Sequence, residues 1–417
     1  MKHIYTSLDI GSDTIKIAVC ELYQNKLNLL VSSSYKSKGI KKGLITDVEL
    51  ATSCIKEAIR ETEDKLGLKI KRIITTIPSF NAEYSIVKGD IKINNEYSIV
   101  KNEDIIGVLE NALKNQTFQS RELITMLPVD YSLDDKAFIK NPLNMRGNIL
   151  GCRAILVTTP KKNVYSVIGI LEKIGLEVVD ISLNNIGDYY AFNSKKFEDK
   201  IGAIVNIGND ITNVSLYNKG VLVKSSIVNM GGSNIDRDIS YMYKIGTTLA
   251  RKLKTKFALA HTKNANVNDV IEVKNDSNDN FKINQYELSQ IVSSRLEDIL
   301  TEAKKEINLL TSKKIDYIII TGGSSNILDF EYIAKDVFGL DANIGNVKML
   351  GLRDNSFSSC VGNIVYFISK LKLKNQDYSM ISDDEFLQYT PSNNRRINTS
   401  DSMFGKIFGF FFVESDN

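Results

Sequence analysis

The chain has 417 residues, 43% of them hydrophobic and 25% charged, which is enough for two or more packed cores and unlike a disordered or fibrous protein. Its net charge of +3 is nearly balanced and its lysines are interleaved with acids, so no basic stripe accumulates for a nucleic-acid backbone and nucleic acid is not expected as a partner. Cys20, Cys54, Cys152 and Cys360 stand far apart, and His3 and His261 are the only histidines, which argues against zinc, a disulfide framework and Ser/His catalysis and leaves the thiols as buried bystanders.

From Met1 the chain runs straight into the alternating strand IYTSLDIG with no leader pattern ahead of it, so export is not expected. The segment LDIGSDTIKIAV (8–19) reads as a strand, a glycine turn and a second strand. Such a turn can aim backbone N–H groups at phosphate oxygens, because a missing side chain permits close approach. Gly11, Ser12 and Asp13 would make that contact, with Lys16 reaching a phosphate and Asp9 holding a water on Mg²⁺. Apolar spacing then predicts a helix over 48–66, closed by Gly67 and followed by the strand IKRIITTI. Between Pro78 and Asn163 lies a mixed α/β insertion.

The turn motif recurs in AIVNIGNDITNVSLYNKG (203–220). A separation of roughly 195 residues is too long for a solenoid repeat and suits a duplicated domain. Helical patterns follow at 247–257 and 285–310, flanking an Asn-, Asp- and Lys-rich stretch at 262–282 that reads as an exposed loop or hairpin. A third glycine turn, YIIITGGSSNIL (317–328), precedes a helix-like stretch at 330–338. Strands alternating with helices predict an α/β architecture.

No run of 18 or more apolar residues occurs, so membrane contact is expected to be peripheral. Residues 371–401 are polar, include Pro391 and read as a flexible linker. They lead to SMFGKIFGFFFVESDN (402–417). Wound as a helix at ~100° per residue, this tail places Met403, Phe404, Ile407, Phe408, Phe410, Phe411 and Phe412 on a broad apolar arc, with Lys406 on the remainder. The eleven residues 403–413 would extend only ~17 Å, well short of the ~30 Å hydrocarbon core, so the helix would lie in the membrane interface. Docking into a groove on the folded body or on a partner is the alternative; the preceding linker, which would let the tail reach away, favours the membrane.

Two phosphate-type hairpins followed by a GG turn resemble the actin, Hsp70 and sugar-kinase superfamily. KGLITD (42–47), IKNPLNMRG (139–147, with Pro142, Leu143, Met145 and Gly147) and VNMGGSNIDRDI (228–239) resemble motifs of the FtsA family. The resemblance covers nearly the whole chain. It implies a two-lobed actin-like α/β fold with a displaced small subdomain. The parts would be subdomain 1A (1–80, 163–198 and 352–370), 1C (81–162), 2A (199–236 and 310–351) and 2B (237–309).

It further implies an ATP-binding adaptor that polymerises, holds the FtsZ ring to the inner face of the membrane at the division septum and recruits other division proteins. The nucleotide ligands would be the first turn together with Asn206, Gly208, Asn209 and Thr212 of the second, Gly231 and Gly232 after it, Arg251 and Lys254 near the ribose, and Gly322, Gly323 and Ser324 against the adenosine. Asp9 and Asn206 would hold Mg²⁺ through water, Arg295 and Asp298 would meet the FtsZ C-terminal peptide, and no catalytic residue is assigned. Three departures from the family pattern point to slow or absent hydrolysis. Asn206 stands for an Asp, Arg251 for a Glu, and Leu328–Asp329 for a Pro-Gly. A pilus-assembly actin homologue of the PilM type and, further off, a sugar kinase are the alternatives.

Overall fold

The computed structural model of the chain describes residues 3–114, 116–192, 194–274, 280–347 and 349–381. The tail helix expected at 402–417 and the linker from 382 onward lie outside them. The chain folds as two units, one comprising Met1–Ala191 with Lys348–Arg353 and the residues from Ser359, the other Phe192–Val347 with Asp354–Ser358. The first change of unit falls at 191/192, where the sequence suggested 198/199.

The first unit opens with an antiparallel meander, β1 (His3–Ile10), β2 (Thr14–Tyr23) and β3 (Lys26–Lys36), followed by the short pair β4 (Ile40–Lys41) and β5 (Leu44–Ile45). Helix α1 (Val48–Leu66) begins where the Asp47 carboxylate accepts from Leu50 N and ends at Gly67 with φ 72°. These are a standard N-cap and a left-handed C-cap. Its buried residues, among them Ala51, Cys54, Ile55, Ala58 and Ile59, recur at helical spacing and pack on the meander. Strand β6 (Arg72–Ile77) then pairs in parallel with β1.

An inserted body follows, made of β7 (Glu83–Lys92), α2 (Asn102–Leu113), β8 (Arg121–Leu133), β9 (Lys136–Ile139) and β10 (Ile149–Pro160). Its sheet is antiparallel in the order β7-β10-β8-β9, and α2 lies close on β7 because a Cβ at Gly89 would sit 2.6 Å from Ala112 N. The PLNMRG string forms a turn (Met145 N to Pro142 O, 3.0 Å) pinned to the approach of α2 by Val100 N to Met145 O at 2.9 Å. Helix α3 (Lys161–Lys173), β11 (Glu177–Leu183) and α4 (Asn184–Phe192) return to the first sheet, completing the order β11-β6-β1-β2-β3.

The second unit repeats that plan. Its strands β12 (Ile201–Ile207), β13 (Thr212–Asn218) and β14 (Val221–Val228) form an antiparallel meander, followed by α5 (Gly232–Tyr243) and α6 (Thr247–Lys256). The hairpin β15 (Val270–Lys274) and β16 (Asn280–Asn284) leads into α7 (Gln285–Leu310), then β17 (Tyr317–Thr321), α8 (Phe330–Phe338) and β18 (Ala342–Ile344). The sheet order β14-β13-β12-β17-β18 matches the first unit in strand direction at every step. The duplication read from the two hairpins is thus a duplication of a five-stranded sheet.

Helix α9 (Ser358–Leu373) carries the chain back to the first unit, where it packs on α4 through two glycines. A Cβ at Gly362 would lie 1.8 Å from Gly187 O, and one at Gly187 would lie 2.3 Å from Ser359 O. The linker expected from 371 gives way over its described part. Helix α9 runs to Leu373, and Met380 and Ile381 are buried. Met380 N donates to Ile4 O (2.8 Å), Ser379 Oγ accepts from Ile4 N (2.9 Å), and Arg72 donates to Met380 O (3.2 Å). This clasp occupies the length of β1 ahead of its pairing with β6, which begins at Ser7. Polar composition alone hid it, because two apolar residues suffice to seat it.

All four cysteines are buried. Burial first, and then the nearby Asp9 carboxylate, push the Cys360 thiol up to about 12, so it stays protonated and inert at neutral pH.

Candidate functional site

In the first unit the pairing of β1 with β2 ends at Ile10 and Ile15, which leaves residues 11–14 to make the turn. Gly11 N donates to Thr14 O (3.2 Å), and a Cβ at Gly11 would lie 2.7 Å from that same oxygen. Ser12 Oγ accepts from Gly43 N (2.8 Å), tying the turn to the KGLITD segment. Asp13 turns its carboxylate to Lys36. Asp9 accepts from Thr76 Oγ1 (2.7 Å) and lies 3.6 Å from the buried ammonium of Lys16.

The second unit closes its turn the same way, with Gly208 N donating to Ile211 O at 3.0 Å. Thr212 is fully buried and donates to Met230 O (2.9 Å). Gly232 N and Ser233 N, the first amides of α5, donate to Gly208 O and Asn209 O at 2.9 and 2.8 Å. A Cβ at Gly231 would lie 2.6 Å from Asn209 O, so only glycine lets the helix start approach the turn so closely. Asn206 pairs with Thr321 across β12 and β17. Gly322 adopts φ 93°, and a Cβ there would sit 2.5 Å from Asn206 Oδ1. Gly323, by contrast, is exposed, and a Cβ there would make only an ordinary contact with Ser356 Cβ at 3.8 Å, while Ser324 is buried beside Gly232. The GG turn, the second hairpin and the start of α5 therefore form one glycine-lined cradle.

Two cations flank this cradle. Lys254 Nζ donates to Gly232 O (2.8 Å) and pairs with Asp236 Oδ1 (2.6 Å), both side chains being almost fully buried. Arg251 pairs through Nε with Asp236 Oδ2 (2.9 Å) and through Nη2 with Asn209 Oδ1 (2.8 Å). Asp236 is the residue that sequence reasoning missed. It sits inside the VNMGGSNIDRDI string, yet its role appears only when α5 and α6 pack and it receives both cations. Lys254→Met should leave Asp236 short of one partner. Breaking a buried pair costs about 3–5 kcal/mol, moderated here by Arg251. The expected result is a lowered melting temperature together with loss of nucleotide binding by titration calorimetry.

A divalent ion finds few ligands among these residues. Asn206 brings a neutral amide packed against Gly322, and Asp9 already faces Lys16 and Thr76. Among the described residues no cluster of three or more His, Cys, Asp or Glu is arranged to hold a metal. At the third family departure, Asp329 takes a left-handed conformation (φ 64°) ahead of α8, a position suited to glycine. Asp329 also accepts from Asn264 Nδ2 (2.9 Å).

Arg295 and Asp298 lie apart from this cradle, on α7. Arg295 pairs with Asp238 (2.5 Å) and with Asp298 (3.1 Å). They border a groove of about 640 Å³ whose apolar lining is Met242, Tyr243 and Ile291. The tail residues Met403 to Phe412 lie outside the described residues. No helix among the described residues is long and apolar enough to cross a membrane.

Two family models match the chain. One, described as "Cell division protein FtsA", matches residues 203–362, and the other, "SHS2 domain inserted in FTSA", matches 82–158, the inserted body. The cell division protein FtsA of Enterococcus hirae is 25% identical over 365 residues, spanning 87% of this chain and 83% of that protein. Among solved structures, a chain of the PilM-PilN type IV pilus biogenesis complex superposes with a TM-score of 0.57 at 14% identity, covering 86% of this chain and 96% of that one. MreB5 of Spiroplasma citri bound to ADP superposes with a TM-score of 0.52 at 14% identity, covering 89% and 99%. The structural likenesses show the fold, which is actin-like and α/β. The inserted body and the second unit each carry the sequence signature of one family, and the chain belongs to the FtsA family of cell division proteins.

Proposed function

We propose that the chain binds an adenine nucleotide through its glycine turns and serves as a peripheral adaptor. In this reading it tethers FtsZ to the cytoplasmic face of the membrane at the division septum, assembles with itself and recruits other division proteins. The observation that carries the nucleotide part is the close approach of the second turn, the start of α5 and the GG turn, which glycines at 231, 232 and 322 permit. The MreB5 likeness, a protein with ADP bound, supports it at the level of fold. Gly11, Ser12, Asp13 and Lys16 would meet phosphates, Gly208, Asn209 and Thr212 likewise, and Gly323 the adenosine. Titration with ATP and ADP tests this directly, and absence of any heat or fluorescence change with either nucleotide overturns it.

The FtsZ peptide is assigned to the groove beside Arg295, where an apolar floor adjoins a guanidinium. Met242, Tyr243 and Ile291 suit hydrophobic groups of a peptide, and Arg295, paired with Asp238 and Asp298, is the one cation of the lining beside three acids, Asp238, Glu287 and Asp298. Arg295→Glu is expected to weaken the peptide about tenfold or more, the usual scale for a charged anchor. Equal affinity of the variant in an anisotropy titration would remove the groove from the reading. The pilus-assembly alternative shares the fold, but both family models favour cell division. A sugar kinase would show phosphate transfer in a coupled assay, and slow or absent hydrolysis is expected instead.

A further inference from the structure

We propose that this chain takes its nucleotide as the free polyanion, without a divalent cation, because the carboxylates around its glycine turns are replaced or engaged while Arg251 and Lys254 are fixed beside the cradle. The inference rests on the nucleotide reading above and narrows it to the ionic form of the ligand. Magnesium is normally held by one or two carboxylates together with substrate phosphates and waters. The second turn has no carboxylate at its head. Asn206 is neutral, and its oxygen packs against Gly322. The other carboxylates around the cradle are engaged. Asp236 receives Lys254 on one oxygen (2.6 Å) and Arg251 on the other (2.9 Å), and Asp210 accepts from Asn209 Nδ2 (2.8 Å). In the first unit Asp9 faces Lys16 at 3.6 Å and accepts from Thr76.

The cations, in contrast, are held in place. Arg251 is fixed at two points, to Asp236 and to Asn209 at the tip of the hairpin, and its side chain remains 28% exposed. Its Nε and Nη2 are committed to the protein in this way, so the guanidinium contributes a fixed positive charge at the edge of the cradle. Lys254, at 6% exposure, bridges Gly232 and Asp236 beside Ser324. A cation tethered by the fold carries no cost of association from solution, unlike a metal ion that must be bound alongside the nucleotide.

The test is calorimetric titration of the full chain with ATP, once with excess magnesium and once with excess EDTA. Wild-type affinity should differ by less than ~3-fold between the two, and a loss of ~10-fold or more in EDTA overturns the proposal while leaving nucleotide binding intact. No binding in either buffer instead ends the nucleotide reading, and this inference with it. Arg251→Gln should lose ~10-fold or more in EDTA and recover part of it in magnesium; an unchanged affinity in EDTA counts against the proposal. Asn206→Asp, which needs no rearrangement of Arg251, should acquire magnesium dependence. It keeps the test decisive if the arginine variant melts early.

Discussion

Gly362→Ala is expected to destabilise the first unit by about 3 kcal/mol, at the upper end of what overpacking usually costs. The new methyl would start 1.8 Å from Gly187 O and 2.7 Å from Ala191 N, both backbone atoms of α4. Backbone cannot swing aside as a long side chain can, so the whole of α9 must shift. That shift would disturb what α9 holds. Asn363 accepts from Ser182 Oγ (2.6 Å), and Tyr366 shares a hydrogen bond with Thr125 of the inserted body (2.6 Å). Gly169→Ala in α3 is the control, because a Cβ there meets nothing within 4 Å. Relief of glycine's conformational entropy should stabilise it by up to ~1 kcal/mol. Thermal melts of the two variants should therefore move in opposite directions, and a Gly362→Ala melt like the wild type would discredit the α4–α9 packing.

Deleting residues 402–417 is expected to abolish co-sedimentation with lipid vesicles while leaving the melt of the remaining chain unchanged. The arc contains Met403, Phe404, Ile407, Phe408, Phe410, Phe411 and Phe412 against one cation, Lys406. Full burial of an apolar side chain contributes ~1.5–3 kcal/mol, whereas one lysine near an anionic surface contributes about 1 kcal/mol. Binding by the intact chain should consequently survive salt and differ little between zwitterionic and anionic vesicles. A single short helix binds weakly, so sedimentation should rise steeply with protein concentration if the chain self-assembles. A tail-less variant that still sediments would end this part of the reading.

Much of the architecture was legible from periodicity. The helices read at 48–66, 285–310 and 330–338 match α1, α7 and α8 residue for residue. The duplication was visible because both hairpins use the same short turn, Gly11 N to Thr14 O and Gly208 N to Ile211 O. The α4–α9 glycines were not visible. A glycine inside a helical pattern reads as a local weakness until the partner helix is known. Asp236 was hidden for the opposite reason, since a buried carboxylate looks like any surface acid until tertiary packing brings Lys254 and Arg251 to it. The clasp at 379–381 was lost among polar neighbours, its seat being set by β1 rather than by any periodicity of its own.

That clasp decides where a pull on the far end of the chain would be felt. A tether acting beyond Ile381 would load Met380 first, and through it Ile4 and Arg72, before any force reached the end of α9. The strand so loaded is β1 (His3–Ile10), which leads from Ile4 through Asp9 to the turn that follows. Tension at a membrane and the geometry of the first glycine turn would then share one mechanical element, six residues long from Ile4 to Asp9.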